Sequence, residues 1–465
     1  MSTYDQLLSI VAPHEQDHLL GFWDQLTASQ QQSLAAQIEE IDFDLVDRLY
    51  RGEDALVDLH ALAERAGSPP GFHLDPRANR FTPEQARQRG IEAIAAGRLG
   101  TIVVAGGQGT RLGFDHPKGM FPIGPISQRS LFQIHVEKIL ALGRRHGVRI
   151  PLYLMTSHAT HQETLDFFAR NGRFGLLEDD LQIFCQGTMP AVDAASGKIL
   201  LERPDRIFQS PDGHGGMLAA LARSGALADM RRRGIEQLFY FQVDNPLVDV
   251  GGPESLGYHL LSDAEISTQV VAKQDPLEKV GNVVLLDGRS RIIEYSDLPE
   301  AIARRRNEDG SLAIWAGSIG VHVIQRSFLE TVADRGDGLP FHRAAKKVPY
   351  INATGTRVEP REPNAVKFER FIFDLLPWAA GAVVIEVDPQ RSFAPLKNAP
   401  GAKKDTAAWV QTQMVALATE WLRLAGATVA EGVLVEINPL LALDAEELAR
   451  KIRPGTHVEQ ATYFQ

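Results

Sequence analysis

The chain has 465 residues, 44% of them hydrophobic and 23% charged, which is the balance of a soluble globular protein and excludes disorder as its main state. Lys and Arg number 48 against 59 Asp and Glu, a net charge of −11, which argues against a surface built to neutralise nucleic-acid phosphates. No stretch approaches the ~18 uninterrupted apolar residues of a membrane span. The opening MSTYDQLLSIVAPHEQ has no secretory pattern, and the single cysteine, Cys185, cannot form an internal disulfide, so the expected home is the cytoplasm. At roughly 150 residues per domain, the length suggests two or three domains.

Residues 1–95 read as helical, with Leu7, Leu8 and Val11, then Leu34, Ile38, Ile41 and Leu45, at helix-like spacings; Ser68-Pro69-Pro70-Gly71 interrupts them. From Thr101 short apolar runs alternate with helical segments. Thr101–Ala105 is strand-like, and Ser130 with Gln133 has capping-box spacing at the start of a helix. Pro151–Met155 is a second strand, and Thr160 with Glu163 opens a second helix. The run 237–243 is rich in β-formers and stops at Asp244-Asn245-Pro246, while 282–295 reads as a hairpin around Asp287-Gly288. Val383–Val387 is a late strand and Asp405–Leu424 a helix. This alternation predicts an α/β fold with a mostly parallel sheet. The expected division is an N-terminal helical segment (1–95), an α/β core with a mixed, mostly parallel sheet (96–398) and a small C-terminal domain (399–465).

The segment with most chemical content is Ala105-Gly-Gly-Gln-Gly-Thr-Arg-Leu-Gly113, followed closely by Pro117-Lys118-Gly119-Met120. It leaves a strand, where α/β folds place ligands. Gly106, Gly107 and Gly109 allow close backbone approach and expose N–H donors. The loop is neither a G-x-x-x-x-G-K-[ST] phosphate loop nor a G-x-G-x-x-G dinucleotide fingerprint, because Leu112 stands where the third glycine would fall. Arg111 and Lys118 place two cations just beyond these donors, which suits a triphosphate and the negative charge developing on it. Asp244 has a case of its own, as a carboxylate carried to the sheet edge by an apolar strand. His158 and His161 have helical spacing but no paired Cys or Glu of a zinc motif, and read as surface histidines. The basic triplets Arg231–Arg233 and Arg304–Arg306 read as a solvated helix end and a solvated loop.

AGGQGTRLG followed by PKGM resembles the eukaryotic-type UTP-dependent sugar-1-phosphate uridylyltransferases (the UDPGP family), in the branch that contains the UDP-N-acetylglucosamine pyrophosphorylases. The likeness continues in order through LFQIHVEKIL, QGTMPAV, SPDGHGG, VDNPLV, GNVV, IIEYS, NAVKFERFIFD and FAPLKNA, covering about Thr101 to Ala399. It implies a Rossmann-like nucleotidyltransferase core. It also implies UTP and a sugar-1-phosphate as substrates, UDP-sugar and pyrophosphate as products, and Mg²⁺ as cofactor, with neither nucleic acid nor membrane as partner. Arg111 and Lys118 would then be catalytic. Ala105, Gly106, Gly107, Lys118, Gln186, Gly213, Asp244 and Lys367 would bind the nucleotide, and Asp244 would also hold the metal. Lys367 falls in a segment that reads as a helix with Phe368, Phe371, Ile372 and Leu375 on its packing face. His214, Gly281, Glu294, Tyr295, Ser318 and Lys397 would meet the sugar phosphate. Cys185, beside Gln186, reads as a small buried strand residue.

Two positions depart from the branch's pattern: His214 stands where it has Asn, and Ser318 ends the AGN motif as AGS. The implied sugar phosphate is N-acetylglucosamine-1-phosphate. Glucose-1-phosphate, or broad UDP-sugar use, is the alternative that these two positions favour. A chain that binds UDP-sugars without turnover is a third reading, opposed by the intact Arg111, Lys118, Asp244, Lys367 and Lys397.

Overall fold

The computed structural model describes residues 3–53, 63–335 and 338–465; residues 54–62, inside the segment expected to be helical, lie outside the described residues. Compactness divides the chain into two units at points other than the expected 95/96 and 398/399. One comprises 1–57, 186–219 and 337–374, and the other 58–185, 220–336 and 375–465.

The larger unit is built on a ten-stranded sheet. Leu99–Val104 lies parallel to Leu152–Thr156 on one side and to Gln237–Gln242 on the other, and Leu152–Thr156 is followed outward by Leu181–Cys185, also parallel. These strands read as unbroken apolar runs because both faces are covered: Leu99, Val103, Leu154 and Phe241 share a core with Phe132, Val136 and Ile139. Ala316–Gln325 enters antiparallel between Gln237–Gln242 and Ile266–Ala272, and the sheet continues in parallel through Ala382–Glu386 to Gly71–Phe72. The sheet is thus mixed and mostly parallel. The short strand Gly71–Phe72 falls in the stretch read as helical; with two residues it is too brief for any periodicity to reveal it. The hairpin Gly281–Leu286/Arg289–Ile293 turns at Asp287 (φ 50°) and Gly288 (φ 76°), the left-handed pair of a two-residue hairpin loop.

Helix Leu131–His146 starts at Ser130, whose hydroxyl accepts from Gln133 N–H (3.2 Å), and stops at left-handed Gly147. The expected reciprocal half of the box is absent, since the Gln133 amide donates to Glu137 instead (3.0 Å). Thr160 precedes helix His161–Arg170 without capping it; its hydroxyl accepts from Ser157 N–H (3.0 Å) and stiffens the turn after a central strand. Helices Pro83–Ala95 and Pro253–Leu261 cross with their backbones touching: a Cβ on Gly257 would stand 1.6 Å from the Ala86 carbonyl oxygen. The Arg231–Arg233 triplet closes helix Ala226–Arg232 but is not merely solvated. Arg231 pairs with Glu330 (3.1 Å), and Arg233 with Asp180 (3.1 Å) and Asp229 (2.8 Å). The C-terminal part of this unit is helix Ala407–Leu424 with two short parallel strand pairs, packed around Leu422, Val435, Leu448 and Val458.

The smaller unit gathers segments far apart in sequence around one core. Leu7, Leu34 and Ile38 from the N-terminal helices meet Val192, Ile207, Phe341 and Phe368. Here the structure corrects one expectation. Lys367 lies on a strand, Ala365–Arg370, paired antiparallel with Phe341–Lys346, and not on a helix. Val366 and Phe368 are buried at the two-residue period of a strand, and the helical look of 368–375 came from joining that strand to the 3₁₀ turn Ile372–Trp378.

Candidate active site

Four parallel strands of the larger unit run the same way, so their carboxyl ends open at one edge, the place where such sheets bind ligands. After Val104 comes the glycine loop, after Thr156 comes Ser157, after Cys185 comes Gln186, and after Gln242 comes Asp244. Cys185 is half-buried at its strand's end.

The loop is held open by a few bonds. Buried Ala105 donates to Met155 O (2.8 Å), Gly106 O accepts from Ser157 Oγ (2.7 Å), and Lys118 N–H donates to Gly107 O (3.0 Å). Gly109 N–H donates to His116 O (2.8 Å). The amides of Gly107, Gln108, Thr110 and Arg111 donate to no acceptor among the described residues, and all four residues are exposed. Such a row of free donors is a ready anion cradle. Nothing lies within 4 Å of where a Gly107 Cβ would stand, and its φ is not in the left-handed region. Neither packing nor backbone requires glycine there, whereas close approach by a ligand would. Arg111 is exposed, with no ion pair among the described residues.

Lys118 Nζ lies 3.3 Å from Asp244 Oδ2, with the two side chains 20% and 9% exposed. The Asp244 carbonyl accepts from Leu396 N–H (2.8 Å), which sets Lys397 beside this corner. Asn245 fastens the same join: its Oδ1 accepts from Ala394 N–H (3.0 Å) and its Nδ2 donates to Ser392 O (2.7 Å). Asp405 completes it, since its carbonyl takes both Lys397 and Asn398 N–H groups (2.9 Å each). Burial holds the Asp405 carboxyl above its ordinary range; Lys397 and Lys404 oppose that rise, and Asp244 adds to it. Sequence reading missed Asn245 and Asp405, although the break of an apolar strand at Asp244-Asn245-Pro246 was a signal for the first.

No cluster of three His, Cys, Asp or Glu side chains able to cage a metal occurs among the described residues. The corner offers hard oxygens from Asp244, with Asp405 close enough to interact with it electrically. That donor set fits Mg²⁺, which keeps several waters and completes its shell with substrate phosphates.

At the same edge, Ala316–Gln325 begins where Gln237–Gln242 ends, because the two are antiparallel (Tyr240 opposite His322). Ser318 pairs in register with Gly281, and a Cβ on Gly281 would lie 3.4 Å from Glu294 Oε1 and 4.0 Å from Ser318 Cβ. Gly281, Glu294 and Ser318 are thereby brought together around a bare backbone, while Tyr295 beside them is 48% exposed.

In the smaller unit, Gln186 is buried, with no hydrogen bond to its amide among the described residues. Asp212 N–H donates to Gly187 O (3.0 Å) and Arg370 N–H to Asp212 O (2.8 Å), so 186–187, 212–214 and 370–372 are knitted together. Gly213 has φ 83°, and a Cβ there would lie 2.3 Å from the Arg370 carbonyl oxygen, so only glycine fits. The His214 Nδ1 accepts from Ile372 N–H (3.1 Å), which leaves the proton on Nε2. Burial lowers its pKa to about 4, with a smaller push from His342, so the ring is a neutral donor and not a cation. His214 therefore groups with Gly213 in this unit, while Gly281, Glu294 and Ser318 belong to the other. Lys367 Nζ sits 5.1 Å from the centre of the Phe208 ring, with no ion pair among the described residues. Burial lowers its pKa; Glu369 opposes this and Lys346 adds to it. Asp212 and Arg370 also went unnoticed in the sequence.

An open donor-rich loop at the carboxyl edge of a parallel sheet, next to a lysine–carboxylate corner, defines a nucleotide-handling α/β protein. A profile of the UTP–glucose-1-phosphate uridylyltransferase family (UDPGP) matches residues 78–425. The chain is 34% identical over 459 residues to UDP-N-acetylglucosamine pyrophosphorylase of Saccharomyces cerevisiae, covering 94% of each. It is 36% identical over 427 residues to human UDP-N-acetylhexosamine pyrophosphorylase-like protein 1, covering 89% of this chain and 84% of the other. The crystal structure of the UDP-N-acetylglucosamine pyrophosphorylase from Trypanosoma brucei in complex with inhibitor superposes with TM-score 0.81 at 27% identity, over 99% of both chains. The chain belongs to the UTP–glucose-1-phosphate uridylyltransferase family.

No helix among the described residues is long and apolar enough to cross a membrane.

Proposed function

We propose that the protein transfers the uridylyl group of UTP to N-acetylglucosamine-1-phosphate, releasing pyrophosphate, in the cytoplasm. A phosphate oxygen of the sugar phosphate attacks the α-phosphorus; the bond from that phosphorus to the β-phosphate bridging oxygen breaks, and the electron pair leaves with pyrophosphate. The nucleophile is already ionised, so the protein's task is to align two polyanions and stabilise spreading charge. The observation that carries this reading is the Lys118–Asp244–Lys397 corner beside the open amides of Gly107, Gln108, Thr110 and Arg111. Those amides and Arg111 hold the triphosphate. Lys118, resting on Asp244, turns its ammonium to the reacting phosphate, and Lys397 meets the incoming sugar phosphate. Asp244 would hold Mg²⁺, which would supply charge neutralisation on the phosphates. In the smaller unit, Gln186 carries the one donor and one acceptor that a uracil edge requires. Glu294 accepts from sugar hydroxyls, with Gly281 leaving room for the ring and Ser318 offering a hydroxyl.

The names of the relatives support N-acetylglucosamine as the sugar. The departures at His214 and Ser318 support glucose-1-phosphate as a second substrate. Measured kcat/KM for both sugar phosphates with UTP and Mg²⁺ tests the assignment. A higher value for N-acetylglucosamine-1-phosphate is expected, and a clear preference for glucose-1-phosphate overturns it.

A further inference from the structure

On the strands that carry Gly281 and Ser318 rests a buried lysine that the proposed reaction does not employ. Lys273 follows the strand Ile266–Ala272, is 6% exposed, and donates its backbone N–H to Trp315 O (2.9 Å). Its ammonium donates to neutral oxygens, Asn282 Oδ1 (2.5 Å) and Pro276 O (3.3 Å), and makes no ion pair among the described residues. Burial lowers its pKa, and Glu278 and Asp275 oppose that fall without coming within ion-pairing distance. Burying an ammonium on neutral acceptors is unfavourable, and departures of that kind gather at functional sites.

What Lys273 holds is the reverse face of the proposed sugar pocket. Side chains alternate across a strand, so Gly281 and Ser318, opposite each other in register, share one face, while Asn282 and Gly317, the next pair, share the other. Asn282 is 1% exposed. Its Nδ2 donates to Ile293 O (3.2 Å), just before Glu294, and to Val280 O (3.3 Å), just before Gly281. A Cβ on Gly317 would stand 2.8 Å from Val280 Cγ2 and 3.4 Å from Lys273 Cγ, so the lysine stem packs where that side chain would be. The Lys273–Asn282 pair therefore meets each strand one residue away from a pocket residue: Gly317 beside Ser318, Asn282 beside Gly281, and Ile293 beside Glu294. All of these residues belong to the larger unit.

We propose that Lys273 is a positioning residue for the sugar phosphate. Through Asn282 it sets the spacing of Gly281, Glu294 and Ser318, and its side-chain hydrogen bonds involve neither the glycine loop nor the Lys118–Asp244 pair. This role rests on the reading of those three residues as the sugar pocket.

Lys273→Met, which keeps an unbranched stem and removes the ammonium, tests it. With UTP, Mg²⁺ and N-acetylglucosamine-1-phosphate, the variant is expected to raise the KM for the sugar phosphate by about tenfold and to leave the KM for UTP within about twofold, because only the sugar half of the site loosens. Asn282→Ala, which removes the other end of the contact, is expected to do the same, and the double variant to be no worse than either single one. In the ligand-free chain, amide hydrogen exchange over 281–284 and 291–295 is expected to quicken by about tenfold in Lys273→Met, with 101–113 unchanged. An equal rise in both KM values, no rise in either, additive single effects, or unchanged exchange over 281–284 and 291–295 would each overturn the proposal. If Lys273→Met does not fold, Asn282→Ala, read the same way, decides. A wild-type chain without turnover overturns the proposed function and this role with it, whereas turnover with the two KM values unsplit overturns the role of Lys273 alone.

Discussion

Replacing Lys118 with Ala should divide chemistry from folding. The ammonium and the Asp244 carboxylate stand 3.3 Å apart and are mostly buried. At an effective dielectric constant of 20, such a separation gives about 5 kcal/mol of gross attraction, but desolvation of the two ions offsets most of it. The variant leaves Asp244 without its direct partner, at a cost of about 1–3 kcal/mol, which a fold stable by about 5–15 kcal/mol survives. Turnover should suffer far more. A positioned donor serving transition-state charge is worth about 10²–10³ in kcat, so Lys118→Ala should lose that much at saturating UTP and sugar phosphate. The assay is continuous pyrophosphate release, run beside a urea melt of the same preparation. A kcat within about threefold of wild type, well short of the loss a transition-state contact implies, would remove Lys118 from the mechanism. So would a fall that vanishes once the folded fraction is counted.

Three further outcomes follow from particular contacts. The His214 ring, with its pKa lowered to about 4, should stay neutral with the proton on Nε2 through pH 5; nitrogen shifts of labelled histidine check this, and titration near 6.5 contradicts it. Because the unfolded ring binds a proton at higher pH than the folded one, the stability from keeping His214 neutral is complete above about pH 6.5. It declines as pH falls toward about 4, the value to which burial holds the folded ring, and levels off below it. Gly257→Ala should destabilise by about 3 kcal/mol or more, because its Cβ would press on the Ala86 carbonyl where two helix backbones touch; an unchanged urea midpoint refutes that packing. Ser318→Asn should raise the kcat/KM ratio of N-acetylglucosamine-1-phosphate over glucose-1-phosphate by about tenfold, and an unmoved ratio takes residue 318 out of sugar discrimination.

The features legible in the sequence were those written in local pattern. The glycine loop, the strand stopped at Asp244 and the hairpin at Asp287-Gly288 each combine a hydrophobic period with a turn or breaker residue. Joined in order, they gave the sheet and its ligand-binding edge. The smaller unit was not legible, because its core joins Leu7 and Leu34 to Val192 and Phe368, partners that no local window holds. Lys367 was misplaced for a related reason: its strand is six residues long and runs almost directly into a 3₁₀ turn, so two periods merged into one false helix. The supports of the corner, Asn245 and Asp405, act through bonds to 392–398. Only the fold pairs those segments.

The most direct measurement follows label from UTP carrying ³²P at the α position, incubated with N-acetylglucosamine-1-phosphate, Mg²⁺ and the full chain. Uridylyl transfer predicts that the α label appears in a UDP-sugar, that none appears in pyrophosphate, and that Lys118→Ala slows its appearance. Label remaining in UTP with every sugar phosphate tried, or emerging in pyrophosphate, would contradict the reading of this corner as the site of transfer.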